Sequence, residues 1–333
     1  MALFDKTDNF IEQRHIESKL VSCSFNKNRK PLVSILMPIY NHPQFFEIAL
    51  RSCVNQSFST YYEIIICDNN HPNYQKQNQA IVEKITGKIN TSLENITIKY
   101  YINEKNIGGI GNWNRCIELA SAPYVLFCHD DDLLTNDSLS ILLKCRHKIK
   151  DKTAMIAGSF NTIDKNGDII KSNNFKYKGR IHKAKLIDFF FRNITNGCGC
   201  LYERECLKQL GGFGKDYIPC PDYSLNINYC FHFKAYFTNE ITFYYRVSEF
   251  GDSALCHDDT IVINKRIRDE LTKKLFNSNA ILIFLSNIMY KLNILVNKKV
   301  WNNDHFTIIM KVDYFLKLNI VRALKSILTF FFN

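Results

Sequence analysis

Apolar and polar positions along the chain fall into two alternating periods. Short apolar runs occupy residues 33–37, 62–67, 96–102, 124–128 and 155–160, each bounded by polar or turn-forming residues. Runs of this length flanked by such residues predict buried strands. Between them the apolar residues recur at helical spacing. The first helix is signposted by Asn41 as N-cap, Pro43 in the first turn and Gln44 three residues after Asn41. It continues through Phe45, Phe46, Ala49, Leu50 and Cys53. A second helix is expected to follow Gly111 and run to about Ala120. Strands alternating with helices predict an α/β fold with a mainly parallel sheet covered on both faces. Both helices begin just after a strand end. In open α/β sheets ligands bind beyond the carboxyl ends of the strands, so the chemistry is expected there.

The rest of the chain sorts by the same pattern. Residues 1–30 read as a polar lead-in. Residues 31–250 carry the α/β pattern, which mixes helix and strand from about Asp188 to Arg246. Residues 251–333 read as a helical, basic and apolar extension, with no proline and no glycine after Gly251. No internal repeat or low-complexity segment interrupts the 333 residues.

Composition changes this picture little. A formal net charge of +11 favours acidic partners such as nucleotide phosphates, nucleic acid or anionic lipid. The basic residues are diffuse and no nucleic-acid recognition motif appears, so nucleic acid is not expected as a partner. The 12 cysteines are scattered, several inside apolar runs. Cys198 and Cys200 are closer together than the ligands of a zinc knuckle. Buried thiols in a reducing compartment are the expectation. The N-terminus lacks the apolar core of a signal peptide. The longest apolar stretch, residues 280–296, is interrupted by Ser286, Asn287, Lys291 and Asn293, so a cytoplasmic protein is expected.

Four places carry candidate chemistry. The apolar run at 124–128 leads through His129 into Asp130, Asp131 and Asp132. Three adjacent carboxylates repel one another, and burial raises the cost. A hard divalent cation with oxygen ligands would offset it, and Mg²⁺ typically uses one or two carboxylates plus substrate phosphates. The alternative is a solvated loop in which Asp132, with Asn136 or Asp137, caps the next helix. Asp68 ends the second strand and could accept a hydrogen bond from a base or ribose, but Asp68-Asn69-Asn70 is also an ordinary turn. Residues 106–112 hold three glycines yet match neither the Walker nor the dinucleotide fingerprint. They read as a turn into a helix whose N-terminus could face phosphate. Asp222, next to Pro221, suits a helix start.

Together these residues resemble a family 2 glycosyltransferase over residues 31–250. Residues 33–41, ending Pro38-Ile39-Tyr40-Asn41, resemble the family's opening strand and turn. Residues 64–68 resemble its second strand, whose terminal Asp contacts uracil. Residues 106–114, followed by 129–132, resemble its run into the Asp-x-Asp metal motif. Gly211-Gly212-Phe213 followed by Pro221-Asp222-Tyr223 resembles its acceptor-side segment. The resemblance implies a Rossmann-like GT-A-type fold, inversion at the anomeric carbon, and Mn²⁺ or Mg²⁺ as cofactor. It places Pro38, Tyr40, Asn41, Asp68 and Asn114 at the nucleotide and Asp130 near the donor ribose or sugar. It places Asp131, with Asp132 beside it, at the metal and Arg246 at the pyrophosphate. It makes Asp222 the general base rather than a cap. The sequence departs from the family at His129, where the first metal-motif Asp stands, at Pro221 in place of Glu, and at Ser248 in place of a late His. His257 is a candidate substitute for that last residue.

The tail adds a location. Ile309, Val312, Leu316, Ile320, Leu324 and Ile327 follow helical spacing, with Lys311, Lys317, Arg322 and Lys325 elsewhere and Phe330 to Phe332 at the end. A basic amphipathic helix suits the anionic inner face of a cytoplasmic membrane, or else packs on the catalytic domain. The expected reaction is transfer of a sugar from a nucleotide-sugar, UDP-linked by the evidence of Asp68. The expected acceptor is a glycan, polyprenyl-diphosphate-linked, in bacterial O-antigen or capsule assembly. Two rivals stand beside it. A nucleotidyltransferase would place a Gly-rich basic loop where Pro38 to His42 lie. A degenerate nucleotide- or glycan-binding module would draw on the three departures, against which Asp131 and Asp222 are both retained.

Overall fold

The computed structural model describes residues 3–24, 29–89, 95–173, 179–247 and 256–301. The chain divides into two compact units. The first comprises Met1–Leu186, Asn193–Tyr217 and Pro221–Gly251 and contains the sheet.

Its first half alternates β1 (Ser18–Ser24), β2 (Val33–Ile39), α1 (Pro43–Val54), β3 (Tyr62–Asp68), α2 (Gln75–Ile89), β4 (Ile96–Asn103), α3 (Gly108–Leu119) and β5 (Tyr124–Phe127). The strands β4-β3-β2-β5 lie side by side and are parallel. Every residue of β2 and β3 is buried, as a strand sandwiched between two helical layers requires. After β5 come β6 (Leu133–Leu134), α4 (Ser138–Lys148), β7 (Ala154–Ile163), β8 (Ile169–Lys171), β9 (Ile181–Lys183), α5 (Leu186–Phe191), β10 (Cys200–Glu203), α6 (Arg204–Leu210), α7 (Pro221–His232) and β11 (Lys234–Arg246). The sheet continues from β5 through β10, β7 and β11 to β6. Here β10 runs antiparallel to both neighbours, while β7 and β11 are parallel to each other. The parallel character expected from the sequence thus holds for the central block, and the flanks are antiparallel except for the β7–β11 pair.

A proline inside a central strand needs a reason, because it cannot donate to the ladder. The carbonyl of Leu36 accepts from Cys128 N–H on the β5 side. Strand period puts Pro38 on that same side, two residues on. The β2–β5 ladder ends at Leu36 and Phe127, so the missing N–H leaves no ladder bond unmade.

Three local expectations change. Helix α1 starts one residue later than the Asn41 cap implies: His42 is the N-cap, makes no side-chain cap bond, and its carbonyl receives the Phe45 and Phe46 N–H groups. Pro43 at the first helical position already sets the backbone angle there. Helix α3 begins at Gly108, inside the glycine run, because Asn106 Oδ1 accepts from Gly108 N–H and fixes the turn. The N-terminal segment is more than a lead-in. Strand β1 pairs antiparallel with β4, and Leu3, Phe4, Phe10 and Ile16 are buried.

The N-terminal segment is also tied to the end of α6. Asn9 N–H donates to Gly211 O at 3.0 Å, and Gly211 has φ +84. A β-carbon on Gly211 would stand 1.7 Å from the carbonyl oxygen of Thr7. Gly211→Ala is therefore expected to destabilise the protein by about 1–3 kcal/mol from backbone strain alone, with the backbone clash adding to it. A urea titration that showed no lower midpoint would refute this role.

The second unit comprises Ile187–Arg192, Ile218–Cys220 and Asp252–Asn333. Its described part is largely α8 (His257–Leu275) and α9 (Ala280–Trp301). Phe190, Phe191, Leu282 and Leu285 form its core. No helix among the described residues is long and apolar enough to cross a membrane. The basic tail expected from Ile309 to Phe332, and Ser248, lie outside the described residues, as does the side chain of His257.

Candidate active site

The strand order β4-β3-β2-β5 creates one position where successive strands are added in opposite directions: between β2 and β5. Loops leaving the carboxyl ends of these two strands diverge and leave a crevice, the usual ligand site of an open α/β sheet. The β2 loop supplies Tyr40, Asn41 and His42, and the β5 loop supplies His129 to Asp132. Asp130 ties them together. Its carboxylate accepts from Tyr40 N–H at 3.2 Å and lies 3.0 Å from His42 Nδ1.

The other two carboxylates face a different way. Asp131 is partly exposed and Asp132 is almost wholly buried. His129, Asp131 and Asp132 each offer a ligand atom, all within 4.8 Å of one another. Burial raises the Asp131 carboxyl above its ordinary range, and the Asp130 charge adds to the effect. Burial raises Asp132 further, and the Asp131 charge adds again. This is the physics of a site short of positive charge. The residues fit a divalent cation: one imidazole and two carboxylates suit Mn²⁺ or a similar ion, and a bound cation would relieve the repulsion.

Arg246, at the end of β11, is the nearest fixed positive group. Its backbone N–H donates to Asp132 Oδ1 at 2.9 Å. Its Nε donates to Asp131 O at 2.8 Å, and Nη1 donates to the carbonyls of Asp164 and Lys165. The guanidinium sits 4.5 Å above the ring of Phe45. Arg246 is therefore largely a clamp on the carboxylate loop rather than the free pyrophosphate grip expected. Only Nη2 has no partner among the described residues. Burial explains why its affinity for its proton falls, while Asp131, Asp132 and Asp164 oppose that.

Asp222 lies in the first turn of α7, where the helix dipole favours a carboxylate. Its Oδ2 accepts from Asn193 Nδ2 at 2.9 Å. Asn193 is itself held, its Oδ1 accepting from the N–H and hydroxyl of Thr195. Burial raises the Asp222 carboxyl, with Tyr223 N–H, His129 and Asn193 pulling it partly back. Gly197 stands between Asp222 and the metal-ligand cluster. A β-carbon there would lie 3.5 Å from Asp222 Cβ and 3.5 Å from His129 Cε1. Glycine keeps side-chain bulk out of the gap between the carboxylate loop and the α7 carboxylate.

Two expected ligands make hydrogen bonds within the chain. Asn114 is buried, with Nδ2 donating to Phe213 O and Oδ1 accepting from Phe213 N–H. Its amide fastens α3 to the Gly-Gly-Phe turn through this pair of bonds. Asp68 has no exposed surface. It accepts from Asn70 N–H, Asn78 Nδ2 and Tyr100 Oη. Burial raises it, and these donors pull it back. Beside it, Tyr40 meets His71 edge-on with centroids 4.7 Å apart, and His71 stacks on Tyr74 at 4.3 Å. Pro38 is buried in β2, Tyr40 is partly exposed and Asn41 is exposed.

The sequence reading passed over Asn193, Gly197, His42 and His71. Asn193 and Gly197 are far from any motif. His42 was legible by position, since it follows the Tyr-Asn turn directly.

Comparisons with known proteins place the chain in a family. The family model described as "Glycosyl transferase family 2" matches residues 34–211. The GalNAc(5)-diNAcBac-PP-undecaprenol beta-1,3-glucosyltransferase of Campylobacter jejuni is 31% identical over 180 residues, 54% of this chain and 54% of that protein. The chain thus spans about half the length of such curated relatives. Among solved structures, S. aureus TarS in complex with UDP-GlcNAc superposes with a TM-score of 0.55 at 18% identity, covering 72% of this chain and 66% of that one. The mannosyltransferase PcManGT from Pyrobaculum calidifontis, in complex with GDP-Man and Mn²⁺, gives 0.54 at 16% identity, covering 89% and 81%. At these identities the structures speak to the fold, which is that of the GT-A glycosyltransferases. The family match covers more than half of the chain, runs through the opening strand and the carboxylate loop, and ends at Gly211. The chain belongs to glycosyltransferase family 2.

Proposed function

We propose that the protein transfers a sugar from a nucleotide-sugar, UDP-linked, to a hydroxyl of a glycan acceptor with inversion at the anomeric carbon. What supports this reading is the pairing of the His129, Asp131 and Asp132 ligand cluster with the Asp222 carboxylate across Gly197.

In this reading Tyr40 and Asn41 line the nucleotide side of the crevice, with Pro38 and Asp68 supporting it from beneath. Asp130 holds the two loops at the distance the donor needs and borders its ribose or sugar. Asp131 and Asp132, with Mn²⁺ or Mg²⁺ as the ion, lie at the diphosphate. The bound ion would supply positive charge to the departing nucleoside diphosphate. Nη2 of Arg246 is the chain's own donor for a phosphate oxygen, and its other donors keep the loop rigid. Asp222 accepts the proton of the acceptor hydroxyl as that oxygen bonds to the anomeric carbon. The bond from that carbon to the donor phosphate oxygen breaks, and its electron pair leaves with the diphosphate. Burial prepares Asp222 for this by making it a stronger base than an exposed aspartate. Asn193 keeps one of its oxygens oriented.

A polyprenyl-diphosphate-linked acceptor is supported by the name of the Campylobacter relative. It fits work at the inner face of a cytoplasmic membrane, in polysaccharide assembly. Helix α9 exposes Ile281, Ile283 and Phe284, apolar residues of the kind a peripheral membrane contact uses.

The test is calorimetric binding of UDP, GDP, CDP and dTDP, each with and without Mn²⁺. UDP is expected to bind, and to bind more tightly with the ion. Tight binding of another nucleotide would replace the donor class. Binding of none would leave the degenerate module as the better reading.

A further inference from the structure

We infer that His129 is itself a ligand of the cation, through Nδ1, and that this imidazole makes the site select Mn²⁺ over Mg²⁺. The inference rests on the cation-dependent reading above and adds the identity of a ligand and of the ion.

The geometry is the first ground. His129 Nδ1 lies 3.7 Å from Asp132 Oδ2. That separation is too long for a hydrogen bond. It suits two donor atoms that share a cation at about 2.1 Å from each. The arrangement is not a loose surface contact, since Asp132 is 1% exposed. Asp131 completes the set, and no described side chain donates a hydrogen bond to its carboxylate.

The second ground is how the ring is held. His129 stacks on Trp113 with centroids 5.0 Å apart and planes 18° apart. Trp113 is fixed in turn by Phe213, which meets it edge-on at 5.0 Å. Gly197 lies beside the Cε1–Nε2 edge of the ring, where an added β-carbon would stand 3.5 Å from Cε1. A ring packed this way has little rotational freedom left, so Nδ1 stays turned towards Asp132. Meanwhile Nε2 is buried with no hydrogen-bond partner. Nδ1 also lacks a hydrogen bond, at 3.7 Å from Asp132 Oδ2, and a cation there would give the ring the one polar partner the protein does not supply.

The third ground is donor chemistry. Mg²⁺ takes oxygen ligands and keeps water in preference to nitrogen. Imidazole binds first-row transition ions well, and among them Mn²⁺ also accepts carboxylate and phosphate oxygens. A cluster of one imidazole and two carboxylates therefore suits Mn²⁺ better than it suits Mg²⁺.

The experiment is electron spin echo envelope modulation of Mn²⁺ bound to the full-length protein together with UDP. The wild type is expected to show ¹⁴N modulation from a directly bound imidazole. His129→Asp is expected to keep the ion and lose the modulation. Its preference for Mn²⁺ over Mg²⁺, from competition titration, should fall by roughly 10-fold or more. His42→Asn serves as a control, because His42 is the other imidazole beside the carboxylate loop, and it should keep the signal. Should His129→Asp not fold, His129→Asn read the same way replaces it. Bound Mn²⁺ without nitrogen modulation, or modulation that survives loss of His129, overturns this inference and leaves the cation reading standing. Failure of Mn²⁺ to bind at all, with or without UDP, overturns both.

Discussion

Asp222→Asn is expected to lower turnover by about 10²–10⁴-fold, the usual contribution of a positioned base, while nucleotide affinity stays unchanged. The expectation follows from where the residue sits. Asp222 is on α7 and takes its hydrogen bond from Asn193, whereas the nucleotide crevice is built by the β2 and β5 loops. Asparagine preserves the shape and can still meet Asn193, but it cannot take a proton. The pH profile separates this from a structural effect. The base works ionised, and burial raises its carboxyl above the ordinary aspartate value of about 3.9. Activity should therefore fall as pH drops through that raised value, at a higher pH than an exposed aspartate would give. The residual activity of the variant should lack this acid limb. A variant with near-normal turnover, or with the limb intact, would remove Asp222 from the mechanism.

Asp131→Ala is expected to abolish the dependence of nucleotide binding on Mn²⁺ and to weaken that binding roughly 10–100-fold or more. Disturbing even an outer-shell partner of a metal ligand typically costs that much. Asp131 is the better probe of the pair, because Asp132 also accepts from Arg246 N–H and its loss would disturb the end of β11. Removing the Asp131 carboxylate leaves Asp132 with less repulsion and no adjacent charge to share a cation with. A chelator applied to the wild type should match the variant's nucleotide affinity, and the variant itself should not respond to chelator. If the variant still bound UDP more tightly with Mn²⁺ than without, the ligand assignment would be wrong.

Much of the site was readable before the fold because its residues follow strand ends. Val33 to Ile39 is apolar apart from the buried Ser34, and Tyr124 to Phe127 is an apolar run, so the first polar residues after them had to stand at the carboxyl edge of the sheet. That placed Tyr40, Asn41 and the carboxylate run together without coordinates. The same logic did not show what else Asp68 and Asn114 touch. Both occur in motif-like positions, yet their polar atoms are absorbed by Tyr100, Asn78 and Phe213. A linear pattern shows that an amide or carboxylate is present, but not which backbone group has already claimed it.

The order of apolar and polar residues was enough to specify the architecture around the crevice and the types of group within it. Periodicity is a local property: seven buried residues in a row, or apolar residues at helical spacing, bury themselves only as an inner strand or an amphipathic helix. The run His129 to Asp132 is contiguous in the chain, so its concentrated charge was visible too. How those four residues divide their work depends on contacts made in the folded chain. Asp130 turns to Tyr40 and His42, 90 and 88 residues away, while Asp132 turns to Arg246, 114 residues away. Folding alone brought Asn193 to Asp222 and set Gly197 beside both Asp222 and His129. Those relations depend on the meeting of distant loops, and loop closure is governed by the packing of the whole sheet rather than by any local preference of the residues that meet.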